Sequence, residues 1–363
     1  MRKSDSARGL LNTLRVKGVR LWRDADRIRY NAPDGVLTPE LLASIRKLKS
    51  KLLPHLEPDH PLILRSDTTS GNLVLLHASA RSRTVFCIHA IDGWVGSYLQ
   101  LSRELSSEAA TYGLHAIDLV MKTRLPTSIQ GIARYYVDQI QKVQTTGPYS
   151  LVGWSSGGWV AFEMACELDH RGHEVSGVTV LDTVPPRAPD LDPPPSGQGL
   201  VLSGSQERSA LLWWRFVLSQ KSIPELDDPM VPGLFWTMDD EEKSRYLLEN
   251  CRDEQVFFRN SALRGAETTR DILFLYDMVN VQFDAIANYE PSTGTAPINV
   301  FVACPEDWRA DVQKGRQLQL ESYWKSRTTG RIRSERVVGG HSAPLNKPAV
   351  SDVARCILAP TRT

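Results

Sequence analysis

The ten residues Tyr149-Ser150-Leu151-Val152-Gly153-Trp154-Ser155-Ser156-Gly157-Gly158 decide the reading of this chain. The first six carry the aromatic and aliphatic residues of a buried strand, and WVAFEMACELDHRG, behind the glycines, has helical composition and length. A Gly-x-Ser-x-Gly placed between a strand and a helix is a nucleophile elbow. Its glycines are needed because the turn is tight and its backbone crowds the neighbouring strand and helix. The helix N-terminus stabilises negative charge forming beside it. Two serines occupy the motif, and the spacing selects Ser155 as the nucleophile.

Working outward, strand-like and helical stretches alternate from residue 72 onward. Strands are expected at 73–77, 84–89, 112–116, 149–154, 175–182, 298–304 and 333–340, with helices near 97–105 and 129–143. This order predicts an α/β fold with a mainly parallel sheet covered by helices. Residues 183–297 interrupt it as a long insertion whose aromatics (Trp213, Trp214, Phe216, Phe235, Trp236, Phe257 and Phe258) fall in helix-like stretches. A helical lid there would shape an apolar pocket and limit water. For any single one of these rings, packing of the lid helices on one another is the simpler account.

A serine hydroxyl needs a base, and on such a sheet the order is serine, acid, histidine. Of eight histidines, only His170, His173 and His341 follow Ser155. The first two sit at the far end of the helix leaving the elbow. His341 follows the last strand and Gly339-Gly340, and is the expected base. For the acid, Asp182 at the end of the strand after the elbow helix competes with Glu306 and Asp307 after the next strand. Either site could orient an imidazole.

Residues 1–57 read as a separate small unit. Leu10, Leu11 and Leu14 form an apolar stripe ahead of Gly18; residues 19–30 flank an Asp24-Ala25-Asp26 turn as a hairpin; Thr38-Pro39 starts a helix through Leu52. This unit holds 13 Lys and Arg against 6 Asp and Glu, a net of +7, so the remainder carries 1 − 7 = −6. The asymmetry suggests an acidic partner for the small unit, although a solvated basic surface has the same composition. Residues 58–71 are rich in turn formers and read as a linker into a second unit, 72–363.

The whole chain, with 41% hydrophobic and 23% charged residues and a net charge of +1, has the composition of a soluble protein with no general call on nucleic acid or an anionic membrane. Five scattered cysteines without a CxxC pair suit reduced thiols in the cytoplasm, and no metal site is expected. Neither a signal peptide nor a membrane-spanning run is recognisable.

Two resemblances sharpen the expectation. LLNTLRVKGVRLWRDADRIRYNAPDGVLTPELLASIRKLKSKLL resembles the TubC-type N-terminal docking domains of nonribosomal peptide synthetase subunits. That family implies a small α+β domain whose hairpin edge receives a C-terminal segment of an upstream synthase subunit, and Arg20, Trp22, Arg27 and Arg29 become the expected docking residues. Trp22 also suits the core of so small a domain. FCIHAIDGWVGSY, GPYSLVGWSSGG, VLDTVPP and VVGGHSAPL resemble the thioesterase domains of nonribosomal peptide and polyketide synthases and of fatty acid synthases. The resemblance implies an α/β-hydrolase with a helical lid insertion and a triad of Ser155, Asp182 and His341. It also implies an oxyanion hole from the amides of Ser156 and of Ile91, in a loop where Ala90 replaces the family's usual proline.

Together these imply a free-standing thioesterase, recruited in trans, that releases an acyl or peptidyl chain from phosphopantetheine on a partner carrier protein. It would need no cofactor of its own. An editing thioesterase, a general serine esterase and a non-catalytic carrier-binding scaffold are the competing expectations.

Overall fold

The computed structural model describes residues 10–11, 14, 20–24, 27–31, 38–53, 72–79, 81–116, 124–186, 238–250 and 266–359. The chain divides into two units, Met1–Ile63 and Leu64–Thr363.

In the first unit, strands β1 (Arg20–Asp24) and β2 (Arg27–Asn31) pair antiparallel, with Trp22 opposite Arg29 and Asp24 opposite Arg27. Side chains alternate across a strand, so this register places positions 20, 22, 27 and 29 on one face of the ribbon and positions 21 and 28 on the other. Leu21 and Ile28 pack against a small core of Leu10, Leu14, Ile45 and Leu52. Helix α1 (Pro39–Lys47) begins where expected, Thr38 Oγ1 accepting the Leu41 amide at 3.4 Å with Pro39 in the first turn. The helix expected to run unbroken to Leu52 is instead two, because Leu48 leaves helical geometry before α2 (Lys49–Leu52).

The second unit is built on seven strands: β3 (Leu73–His77), β4 (Arg83–Ile88), β5 (Ala109–Leu114), β6 (Tyr149–Trp154), β7 (Val175–Leu181), β8 (Ile298–Cys304) and β9 (Ile332–Val338). Their order is β3-β5-β4-β6-β7-β8-β9; β3 runs antiparallel to β5 and every other pairing is parallel. The strand expected at 112–116 lies three residues earlier at its start. Ala109 and Ala110 have little strand propensity of their own and are drawn in by parallel pairing with Arg83 and Thr84.

Helices α3 (Leu99–Leu105), α4 (Ile129–Ile140), α5 (Gly157–His170), α6 (Asp240–Asn250), α7 (Thr269–Ala287), α8 (Ala310–Lys325) and α9 (Ala349–Leu358) follow in order. α4 packs on α5, α3 on α9, and α8 on β8 and β9. Strand β6 is buried at all six positions, the pattern of a strand covered on both faces. This is an α/β-hydrolase-like sheet, and it brings the ends of β6, β7, β8 and β9 to one edge. The insertion between β7 and β8 supplies α6 and α7, both helical as expected, whereas its seven aromatics singled out from sequence lie outside the described residues. Among the described residues, no helix is long and apolar enough to cross a membrane.

Candidate active site

Ser155 sits at the tip of the turn from β6 into α5 with φ +54°, a left-handed conformation uncommon for a non-glycine residue. The turn is pinned from both sides: the Ser155 amide donates to the Leu181 carbonyl at 2.9 Å, and the Thr183 hydroxyl donates to the Ser155 carbonyl at 2.8 Å. The glycines are demanded by contact. A Cβ on Gly153 would lie 2.2 Å from the Gly157 carbonyl oxygen, and one on Gly157 would lie 2.4 Å from that of His89.

Asp182 follows β7, also with positive φ (+48°), and its amide donates to the Phe301 carbonyl at 2.7 Å. The side chain is 3% exposed. One carboxylate oxygen pairs with His341 Nδ1 at 2.7 Å; the other accepts from Arg316 at 3.0 Å and from the Ala303 amide at 3.1 Å. Burial alone would raise this carboxyl's pKa, but the hydrogen bond and charge of His341, with the Arg316 guanidinium, hold it below the ordinary aspartate value. Glu306 and Asp307, the competing acids, are exposed in the loop after β8.

His341 lies just beyond β9, where Gly339 adopts φ +123° and turns the chain. Its carbonyl accepts from Trp154 Nε1 at 2.9 Å, and the two rings meet at a 35° tilt with centroids 5.1 Å apart, so the elbow and the histidine loop brace one another. With Nδ1 facing a carboxylate, the proton resides on Nδ1 and Nε2 is left as the basic nitrogen. His170 is exposed at the end of α5, and His173 contacts Gln141 and the Tyr149 ring at the opposite end of β6 from Ser155.

Ser155, Asp182 and His341 line one cavity of about 640 Å³ together with Ile91 and Ser156. Its remaining wall is largely apolar, with Trp159, Phe283 and Ile286 contributing. Among the described residues, neither the Ile91 nor the Ser156 amide donates a hydrogen bond. Ser156 is the N-cap of α5, where an unsatisfied amide is expected. The structure thus brings together five of the residues expected from sequence. For Arg20, Trp22, Arg27 and Arg29 it gives the backbone register of the hairpin, in the other unit.

Sequence reasoning missed Arg316, which reaches Asp182 from α8, and Gln282, whose amide donates to the Ile91 carbonyl at 3.2 Å from α7. Both sit in helices whose sequence carries no local signal for the site; only the tertiary packing brings them to it. Asp92, inside the expected oxyanion loop, was also passed over.

The residues 83–195 match the thioesterase domain family, and residues 8–57 match the TubC N-terminal docking domain. The chain is 36% identical over 113 residues to a dimodular nonribosomal peptide synthase of Bacillus subtilis, covering 31% of this chain and 5% of that protein. It is 39% identical over 108 residues to malpibaldin synthetase of Mortierella alpina, covering 30% of this chain and 2% of that one. The chain therefore spans only a few per cent of the length of these curated relatives. Among solved structures it is similar to a four-domain nonribosomal peptide synthetase bound to AMP and glycine (TM-score 0.59, 20% identity, covering 81% of this chain and 20% of that one). It is also similar to the Vlm2 thioesterase domain bound with a dodecadepsipeptide (TM-score 0.52, 20% identity, 79% and 96% covered). At this identity the structural likeness speaks for the fold, and the sequence matches speak for the family. Residues 8–57 thus match the TubC N-terminal docking domain and residues 83–195 the thioesterase domain, and the two relatives named above are nonribosomal peptide synthetases or synthases.

Proposed function

We propose that this chain is a trans-acting serine thioesterase that releases an acyl or peptidyl chain from the phosphopantetheine thioester of a partner carrier protein. The observation that carries the reading is the Asp182–His341 pair at 2.7 Å sharing one cavity with Ser155 on its strained elbow.

In this reading His341 Nε2 takes the Ser155 hydroxyl proton as Oγ attacks the thioester carbonyl carbon. The carbonyl π electrons move to oxygen, and that oxyanion is held by the Ile91 and Ser156 amides. Collapse breaks the C–S bond, and His341 returns its proton to the departing pantetheine thiolate. Water, or a nucleophile within the chain itself, then loses a proton to His341 and attacks the acyl ester. The second collapse breaks the acyl–Oγ bond, His341 returns its proton to Ser155 Oγ, and an acid or a cyclised product leaves. Asp182 keeps the imidazole in the productive tautomer and balances its charge while it is protonated. The phosphopantetheine belongs to the carrier, and the protein supplies no cofactor of its own.

Recruitment in trans is supported by the arrangement of the two matches. Between the docking match, ending at 57, and the thioesterase match, beginning at 83, lie 25 residues (58–82), too few for a further domain. The partner we infer is an upstream synthase subunit that offers a C-terminal docking segment and a carrier. Arg20, Trp22, Arg27 and Arg29 are the docking residues to test first, on the ribbon face opposite Leu21 and Ile28.

Intact-mass spectrometry after incubation with an acyl-loaded carrier tests the chemistry. Wild type should show the acyl adduct or the released chain, and Ser155→Ala neither. Asp182→Asn should retain the fold and lose about 10⁴ in kcat, as expected when the imidazole tautomer is no longer enforced. Wild-type turnover by Ser155→Ala would reject the nucleophile.

A further inference from the structure

His89 and Tyr136 make a buried pair that the triad does not use. Both are essentially unexposed, and their rings meet edge-on with centroids 5.7 Å apart. His89 Nδ1 lies 2.6 Å from the Ala90 carbonyl oxygen and Nε2 lies 2.7 Å from the Tyr136 hydroxyl. A carbonyl oxygen only accepts, so Nδ1 carries a proton. Burial lowers the pKa of His89 to about 4, despite the Ala90 hydrogen bond and with His115 nearby adding to the lowering, so the ring is neutral near pH 7. Its other nitrogen is therefore bare and accepts the Tyr136 hydroxyl proton. Both ring nitrogens are committed: the Ala90 carbonyl fixes the tautomer, and the Tyr136 hydroxyl from α4 holds Nε2 and with it the ring.

What this fixes is one peptide plane. The Ala90 carbonyl receives two donors, His89 Nδ1–H and the Gly93 amide at 3.0 Å. In a trans peptide the carbonyl and the following N–H point in opposite directions. The N–H sharing a plane with the Ala90 carbonyl is that of Ile91, which lines the cavity beside Ser155 and Ser156 and donates to no other group among the described residues. On its other side, the Ile91 carbonyl is held by Gln282 from α7. The residue is thus braced through both flanking peptides.

We propose that His89, its ring held in place by Tyr136, is a positioning residue that aims the Ile91 amide at the oxygen of the reacting carbonyl. The inference rests on the serine thioesterase reading above and adds to it the group that orients one oxyanion donor. A donor that must meet an oxygen at about 2.7–3.1 Å contributes little when its plane is free to rotate, which is why the brace matters for rate more than for binding.

The test exploits which nitrogen each amide side chain imitates. In His89→Asn the side-chain amide nitrogen falls near the position of Nδ1 and can still donate to Ala90; in His89→Gln it falls near Nε2 and cannot. Turnover of a small acyl-pantetheine thioester is measured for wild type, both variants, Tyr136→Phe and Ser155→Ala, with rates referred to the fraction that a fluorophosphonate titrates. The expected result is a kcat loss of about 10–10²-fold in His89→Gln, within about tenfold of wild type in His89→Asn, with KM little changed in either. Tyr136→Phe should lose about three- to tenfold in kcat, and it carries the test if Gln at 89 prevents folding. Equal kcat in the two His89 variants, or wild-type kcat in Tyr136→Phe, overturns the positioning role while leaving the thioesterase reading intact. Turnover that survives in Ser155→Ala overturns the reading itself.

Discussion

Asp92 shows how far a single residue can be from its textual neighbours in behaviour. It is 5% exposed in the loop that carries Ile91, and its carboxylate accepts from the Trp94 amide at 3.2 Å and from its own backbone amide. Burial pushes its pKa up to about 7, against the hydrogen bonds from the Trp94 amide and its own amide, which favour the ionised form. A folded-state pKa above the unfolded value means that the folded state holds the proton more tightly. The contribution to stability is fully present below about pH 4 and is lost as pH rises through 7. Asp92→Asn keeps the acceptor oxygen and never ionises. It should therefore match wild type in stability near pH 4 and exceed it by roughly 2–4 kcal/mol at pH 8, since one pKa unit corresponds to about 1.4 kcal/mol. Denaturant melts of the two proteins at both pH values check this, and a difference independent of pH would show that the carboxyl does not titrate in the fold. Nothing in HAIDG announces this: Asp92 reads as a polar turn residue until the fold buries it.

The elbow is the element in which sequence and structure agree most closely. The pattern Gly153-x-Ser155-x-Gly157 predicts a tight strand–turn–helix, and each glycine meets backbone that a methyl group would overlap. Gly153→Ala would place Cβ within 2.2 Å of the Gly157 carbonyl oxygen, a fixed atom of the first turn of α5. The turn must open to admit it, at a cost of roughly 1–3 kcal/mol, and Ser155 must move from its φ of +54°. Thermal denaturation together with fluorophosphonate labelling should show both a destabilised protein and slowed modification. A variant that melts like wild type would mean that the turn is looser than its contacts imply. By contrast, β5 starts earlier than its sequence suggests, and the expected helix to Leu52 breaks at Leu48. Strand and helix ends are set by what pairs with them, and Ala109-Ala110 becomes strand only beside Arg83-Thr84.

At the scale of the molecule, the two units have separate cores, Leu10, Leu14, Ile45 and Leu52 in one and the β4–β6–β7–β8 packing in the other. Removal of residues 1–57 should therefore leave the melting transition and the small-thioester activity of the larger unit unchanged. If the smaller unit recruits the partner, the same truncation should slow turnover on the cognate acyl-carrier by about 10²-fold or more, through lost effective concentration. Parallel kinetics on the free thioester and on the carrier separate the two, and equal rates on the carrier with and without residues 1–57 would remove recruitment from the account. The sequence by itself determined the α/β class, the nucleophile candidate Ser155, the base candidate His341 and the two-unit order, because strand–turn–helix geometry and glycine sterics are local. It left Asp182 against Glu306 and Asp307 undecided without a family resemblance, because which strand end faces His341 depends on the order β6-β7-β8-β9. Only the tertiary structure set the 2.7 Å Asp182–His341 contact, the reach of Arg316 and Gln282 from their helices, and the His89–Tyr136 brace. Each of these joins residues dozens to nearly two hundred positions apart, where no periodicity or motif in the chain can register the meeting.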